Sequence, residues 1–150
     1  MDSSLLLLLL CGCCAQGALL PLALWQFGEM IKCTQPGRNP LDYNQYGCWC
    51  GFGGIGTPLD QVDSCCYTHD YCYKASRKLP ACRPLVDLPY IKQYSFSCSG
   101  AQVSCGSSND PCQAFVCECD RAAARCFAQA GYNPQYKDLD KDLYCASLSP

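Results

Sequence analysis

A chain of 150 residues with 16 % charged side chains and a net charge of −2 is sized for one domain and has no polyelectrolyte character. No basic run offers a footprint for nucleic acid, and no polybasic patch offers strong attraction to an anionic bilayer. The 17 cysteines point to a disulfide scaffold made in an oxidising compartment and away from a cytosolic protein.

Residues 5–10 are consecutive leucines. The apolar run is too short to cross a bilayer and is followed by small residues, so residues 1–17 read as a secretory signal peptide. Ala15-Gln16-Gly17 offers the cleavage region, although Asp2 stands where a basic residue is usual. Residues 18–22 leave room for a short propeptide, and the mature domain is expected at 23–150. Removing the leader takes away Cys11, Cys13 and Cys14 and leaves 14 cysteines, enough for seven bridges. The mature charge is then within about one unit of neutral.

Residues 23–32 carry Leu24, Phe27 and Ile31 at helical spacing and predict a short amphipathic helix, in which Gly28 costs about 1 kcal/mol relative to Ala. Residues 36–44 are loop, with Pro36-Gly37 and Asn39-Pro40 as turn signals. Residues 46–58 hold Gly47, Gly51, Gly53, Gly54 and Gly56 and predict a loop. Residues 59–78 lack Pro and Gly and predict a long helix with Asp60 near its start. A loop at 80–89 precedes a small β-hairpin at 90–105 around Gly100. Asp110-Pro111 opens a second long helix that runs to about Gln129. The tail to Cys145 reads as loop.

Cys65 and Cys72 are seven residues apart, and so are Cys119 and Cys126. Each pair therefore lies on one helix face, about 10 Å apart at about 1.5 Å per residue. Two antiparallel helices bridged Cys65 to Cys126 and Cys72 to Cys119 would pack closely. His69, the only histidine, falls on that face, and Asp120 comes within about one turn of it. A carboxylate that holds one imidazole nitrogen leaves the other as a base. The glycines of the 46–58 loop leave carbonyls free to turn inward, and carbonyls with a carboxylate are hard ligands suited to calcium. Taken singly, each feature has a plain explanation: a turn, a structural histidine, a solvated Asp120, a core Tyr73. A zinc site fits poorly, because Cys48-x-Cys50 and Cys117-x-Cys119 are too tight for the usual ligand spacing.

Cys65-Cys66-x-x-His69-Asp70-x-Cys72 resembles the active-site signature of secreted phospholipase A2. Residues 116–120 (VCECD) resemble its second signature, and residues 46–54 (YGCWCGFGG) its calcium loop. The resemblance runs from about Ala23 to Cys145, and residues 23–27 and 82–90 look like the pancreatic (group I) type. It implies a mainly α, disulfide-rich fold: two long antiparallel helices cross-linked by disulfides, a short N-terminal helix, a calcium-binding loop and a small β-hairpin. It also implies the pairing Cys33–Cys98, Cys48–Cys145, Cys50–Cys66, Cys65–Cys126, Cys72–Cys119, Cys82–Cys112 and Cys105–Cys117.

For the site, the resemblance implies one catalytic calcium ion bound by the carbonyls of Trp49, Gly51 and Gly53 and the Asp70 carboxylate. His69 would activate a water against the sn-2 ester of a glycerophospholipid, oriented by Asp120, with Tyr73 and Tyr94 hydrogen-bonded to Asp120. Calcium and the Gly51 amide would stabilise the oxyanion. Leu24, Phe27, Ile31, Ala123, Ala124 and Phe127 match the family's acyl channel. Leu24, Trp25, Leu41, Phe52 and Tyr90 match its membrane rim, where Trp and Tyr suit the lipid–water boundary. The implied protein is a secreted monomer that works at a phospholipid membrane or micelle surface, with a cell-surface receptor as a further partner class.

Three departures stand out. Trp49 replaces the tyrosine usual in the calcium loop, Gly28 and Glu29 stand where pancreatic members carry basic residues, and nothing between the leader and Lys32 is basic, which disfavours tryptic activation. A non-catalytic receptor binder or toxin on the same scaffold is the alternative reading, against which the intact His69, Asp70 and Asp120 argue. A mineral-associated matrix protein would need an acidic bias that this chain lacks.

Overall fold

A computed structural model describes residues 22–145. The expected leader at 1–17 and the propeptide at 18–22, Leu22 apart, lie outside these residues. Helix α1 (Leu22–Thr34) extends slightly past the predicted bounds at both ends. Its buried Met30 and Ile31 join the main core, where Val116, Ala124 and Phe127 of the later long helix also lie. In the following loop the Asn39 side chain accepts the Leu41 N–H at 3.0 Å and Pro40 fixes its own φ, which yields a 3₁₀ turn at Pro40–Tyr43.

Helix α2 (Gln61–Ser76) is shorter than the predicted 59–78. Asp60 takes the N-cap and its side chain accepts the Asp63 N–H at 2.8 Å, so the helix begins after it. Strands β1 (Phe96–Ser99) and β2 (Gln102–Cys105) pair antiparallel with Phe96 opposite Cys105 and Ser99 opposite Gln102. The turn between them places Gly100 and Ala101 at φ 56° and 61°, the primed geometry that matches strand twist. Residues 90–95, assigned to the hairpin from sequence, stay outside the sheet: the N–H groups of Ile91 and Lys92 turn back to the Leu88 carbonyl.

Helix α3 (Pro111–Gln129) has the predicted bounds and opens on a capping box between Asp110 and Gln113. The tail is not all loop. It contains a 3₁₀ turn at Pro134–Tyr136 and a short helix α4 (Lys141–Tyr144), whose first N–H groups are accepted by Asp140.

All seven bridges pair as the resemblance implies. Cys65–Cys126 and Cys72–Cys119 join α2 and α3 with Cα separations of 5.8 and 5.7 Å, which fixes the two helices antiparallel. Losing one native bridge in a small domain costs about 2–5 kcal/mol. Covalent closure thus supplements a modest apolar core.

Candidate active site

The bridged helices bring His69 of α2 against Asp120 of α3, with Nε2 2.7 Å from Asp120 Oδ1. An ionised carboxylate only accepts, so Nε2 carries the proton and Nδ1 keeps the lone pair. Asp120 is fully buried, yet well supplied with donors. Tyr73 Oη donates to Oδ1 and Tyr94 Oη to Oδ2, each at 2.6 Å. Burial first, then the Asp120 charge and hydrogen bond, hold both phenols well above the ordinary tyrosine range, so they remain donors.

Tyr94 is carried by a connecting segment and needs another support. Gln26 of α1 supplies it: its Nε2 donates to the Tyr94 carbonyl at 2.6 Å and its Oε1 accepts the Tyr94 N–H at 3.0 Å. Phe27, one residue on, stacks on the His69 ring at 4.6 Å and 16°. Spacing places Phe27 on the apolar face of the helix and the resemblance makes it a channel residue, but neither points to its stacking on His69 or to Gln26, because both roles are tertiary contacts of α1 with distant residues.

The predicted channel residues divide into two groups. Ile31, Ala123, Ala124 and Phe127 are buried, while Leu24 and Phe27 are half-buried. Phe127 lies 6.1 Å from Phe27 and stacks at 4.0 Å on Tyr43, so the apolar wall runs from the imidazole into the core. On the surface, Trp25, Leu41, Phe52 and Tyr90 are all exposed, with Phe52 at 94 %. Leu85, Val86 and Ile91 are exposed apolar residues near Tyr90 in sequence that the predicted rim omitted.

The glycine loop precedes α2 in sequence and is tied to it by Cys50–Cys66. Gly51 and Gly53 adopt φ of 122° and 72°, backbone that favours glycine. Trp49 is buried in the loop's base: its Nε1–H donates to the Gly56 carbonyl at 3.1 Å and its ring meets Tyr67 edge-on at 4.7 Å. A Cβ on Gly54 would stand 1.9 Å from the indole, so that glycine makes room for it. Lys141 of α4 donates to the Phe52 carbonyl at 3.2 Å. Asp70 follows His69 on α2, and burial raises its carboxyl above the ordinary range, opposed by the His69, Lys74 and Lys141 charges. A cation at that carboxylate would offset the burial.

Among the described residues no three His, Cys, Asp or Glu side chains gather to hold a metal. A cation held at this loop would draw on backbone carbonyls, with Asp70 as the carboxylate expected from sequence. That all-oxygen donor set fits calcium and not zinc.

Residues 24–137 match the family model described as Phospholipase A2. A sheep (Ovis aries) protein named phospholipase A2 is 56 % identical over 124 residues, 82 % of this chain and 100 % of its own length. A rabbit (Oryctolagus cuniculus) phospholipase A2 is 54 % identical over 139 residues, 92 % of this chain and 94 % of its own length. The acidic phospholipase A2 PL-I of the snake Walterinnesia aegyptia is 52 % identical over 127 residues, 84 % of this chain and 89 % of its own length.

Proposed function

Because the chain belongs to the phospholipase A2 family and is a phospholipase A2, we propose that it is a secreted, calcium-dependent enzyme that cleaves the sn-2 ester of glycerophospholipids through His69. The observation that carries the reading is the 2.7 Å contact between His69 Nε2 and Asp120, which leaves Nδ1 as a free base.

Nδ1 takes a proton from water, and the oxygen so activated attacks the sn-2 carbonyl carbon. Asp120 holds the ring in the correct tautomer and stabilises the imidazolium that forms. Tyr73 and Tyr94 donate to the carboxylate and keep it oriented. The Gly51 N–H donates to the developing oxyanion. When the tetrahedral centre collapses, the carbon–oxygen bond to the glycerol breaks and the imidazolium returns its proton to the leaving alkoxide. The products are a lysophospholipid and a free fatty acid, with no acyl-enzyme. The carbonyls of Trp49, Gly51 and Gly53 and the Asp70 carboxylate would hold calcium, which supplies positive charge at the ester carbonyl when bound.

Leu24, Phe27, Ile31, Ala123, Ala124 and Phe127 would line the acyl path. The exposed Trp25, Leu41, Phe52 and Tyr90 suit peripheral docking on a phospholipid surface by a monomer. Seven bridges suit an extracellular setting. The test is fatty-acid release from sn-2-labelled phosphatidylcholine and phosphatidylglycerol vesicles, with calcium, with chelator and with His69→Ala. Release that needs calcium and falls at least ~100-fold in His69→Ala is expected. Calcium-independent release, or release that survives His69→Ala, overturns the assignment.

A further inference from the structure

Asp63 is fully buried in the first turn of α2, and all three of its side-chain partners are backbone amides. Its Oδ2 accepts the N–H of Cys48 at 2.8 Å and of Leu59 at 2.9 Å, and its Oδ1 accepts the N–H of Trp49 at 2.7 Å. One carboxylate thus grips both ends of the 48–59 segment, whose interior holds Gly51 and Gly53. Gly47 makes this approach feasible: it sits at φ 58°, and a Cβ there would lie 2.5–2.7 Å from the carboxylate atoms. Asp60 steadies the aspartate from below by accepting its N–H, while Asp60 itself is held by Tyr46 Oη and by Asn133 Nδ2.

Asp63 and Asp70 are seven residues apart on α2, hence on one face and about 10 Å apart. We propose that Asp63 is a positioning residue of the metal loop, its carboxylate holding residues 48–59 in register with Asp70 before a cation arrives. This rests on the calcium assignment made above for the same loop. A carboxylate is needed because three donors converge on it. In Asn the oxygen can keep the Cys48 and Leu59 bonds only if its amide nitrogen faces the Trp49 N–H, donor against donor. The bond lost is the one at Trp49, whose own carbonyl is a proposed ligand.

Calcium titration calorimetry of the wild type and of Asp63→Asn tests this, with sn-2 hydrolysis measured alongside. Asp63→Asn is expected to weaken calcium binding ~10-fold or more, as loss of outer-shell support does. Turnover at saturating calcium is expected to stay within about threefold, since His69 and Asp120 are untouched and bound calcium restores the loop that carries Gly51. Calcium binding by the wild type with unchanged affinity in Asp63→Asn overturns the role of Asp63 alone. No binding by the wild type overturns the calcium assignment and this role with it. An equal fall in turnover at saturating calcium marks general damage and also overturns it. Should Asp63→Asn not fold, hydrogen exchange of the chelated wild type decides: slow exchange at the Cys48, Trp49 and Leu59 amides supports the brace, and exchange at exposed-loop rates overturns it.

Discussion

His69 and Asp120 sit on helices tied to each other by Cys65–Cys126 and Cys72–Cys119, whereas residues 48–59 contain no helix or strand. The loop is anchored through Cys48–Cys145 and Cys50–Cys66 and by hydrogen bonds to Asp63 and Lys141, with an internal bond from Trp49 to Gly56. The proposed proton-transfer pair needs one distance kept, and two covalent ties across paired helices keep it. The proposed cation site needs several carbonyls kept at once, which helical backbone cannot offer because its carbonyls are already used. The loop therefore exchanges regular structure for carbonyl availability and recovers order through side-chain braces.

The comparison can be broken most strongly at a bridge. Replacing Cys72 and Cys119 together by Ser should cost about 2–5 kcal/mol in chemical denaturation and depress turnover more than calcium affinity. The paired change at Cys50 and Cys66 should reverse that ranking, so equal responses would erase the division between the two regions. A smaller effect is expected from Tyr94→Phe, which removes one donor to the buried Asp120 and should cost about 1–3 kcal/mol with calcium affinity unchanged. It also sharpens a pH dependence. The fold raises the Tyr73 and Tyr94 pKa values, so it binds those protons more tightly than the unfolded chain does. Their contribution is fully present below about pH 10 and is lost as pH rises beyond the unfolded tyrosine value. Melting temperatures between about pH 9 and 11 should fall less steeply in Tyr94→Phe than in the wild type. The mildest change is Trp49→Phe, which keeps a ring but drops the bond to Gly56. It should weaken calcium binding a few-fold, for a bond worth about 0.5–1.5 kcal/mol, and leave saturated turnover unchanged.

Much of the helical half was legible in sequence. Pro- and Gly-free stretches marked α2, Asp110-Pro111 marked the start of α3, and the cysteine spacing forecast both interhelical bridges and the approach of Asp120 to His69. The loop half was legible only as glycine content and a resemblance. Asp63 reads in sequence as an ordinary polar residue in a first helical turn, and its three partners come from Cys48, Trp49 and Leu59, up to 15 residues away. Gln26 and the stacking of Phe27 were equally hidden, since both are contacts of α1 with residues far along the chain, Tyr94 and His69. The short helix α4 escaped notice because its four residues carry no periodicity and depend on the Asp140 cap.

The chain holds two tryptophans in opposite surroundings: Trp25 is 53 % exposed on the surface of α1, and Trp49 is 8 % exposed inside the loop, edge-on to Tyr67. Each therefore gives light with its own colour. Trp25 should emit toward the red in water and move to the blue when a bilayer covers it, while Trp49 should emit blue throughout and change mainly in intensity as the loop tightens. One emission spectrum, read with vesicles alone and with calcium alone, then separates adsorption to lipid from ordering of the loop without a label on either partner.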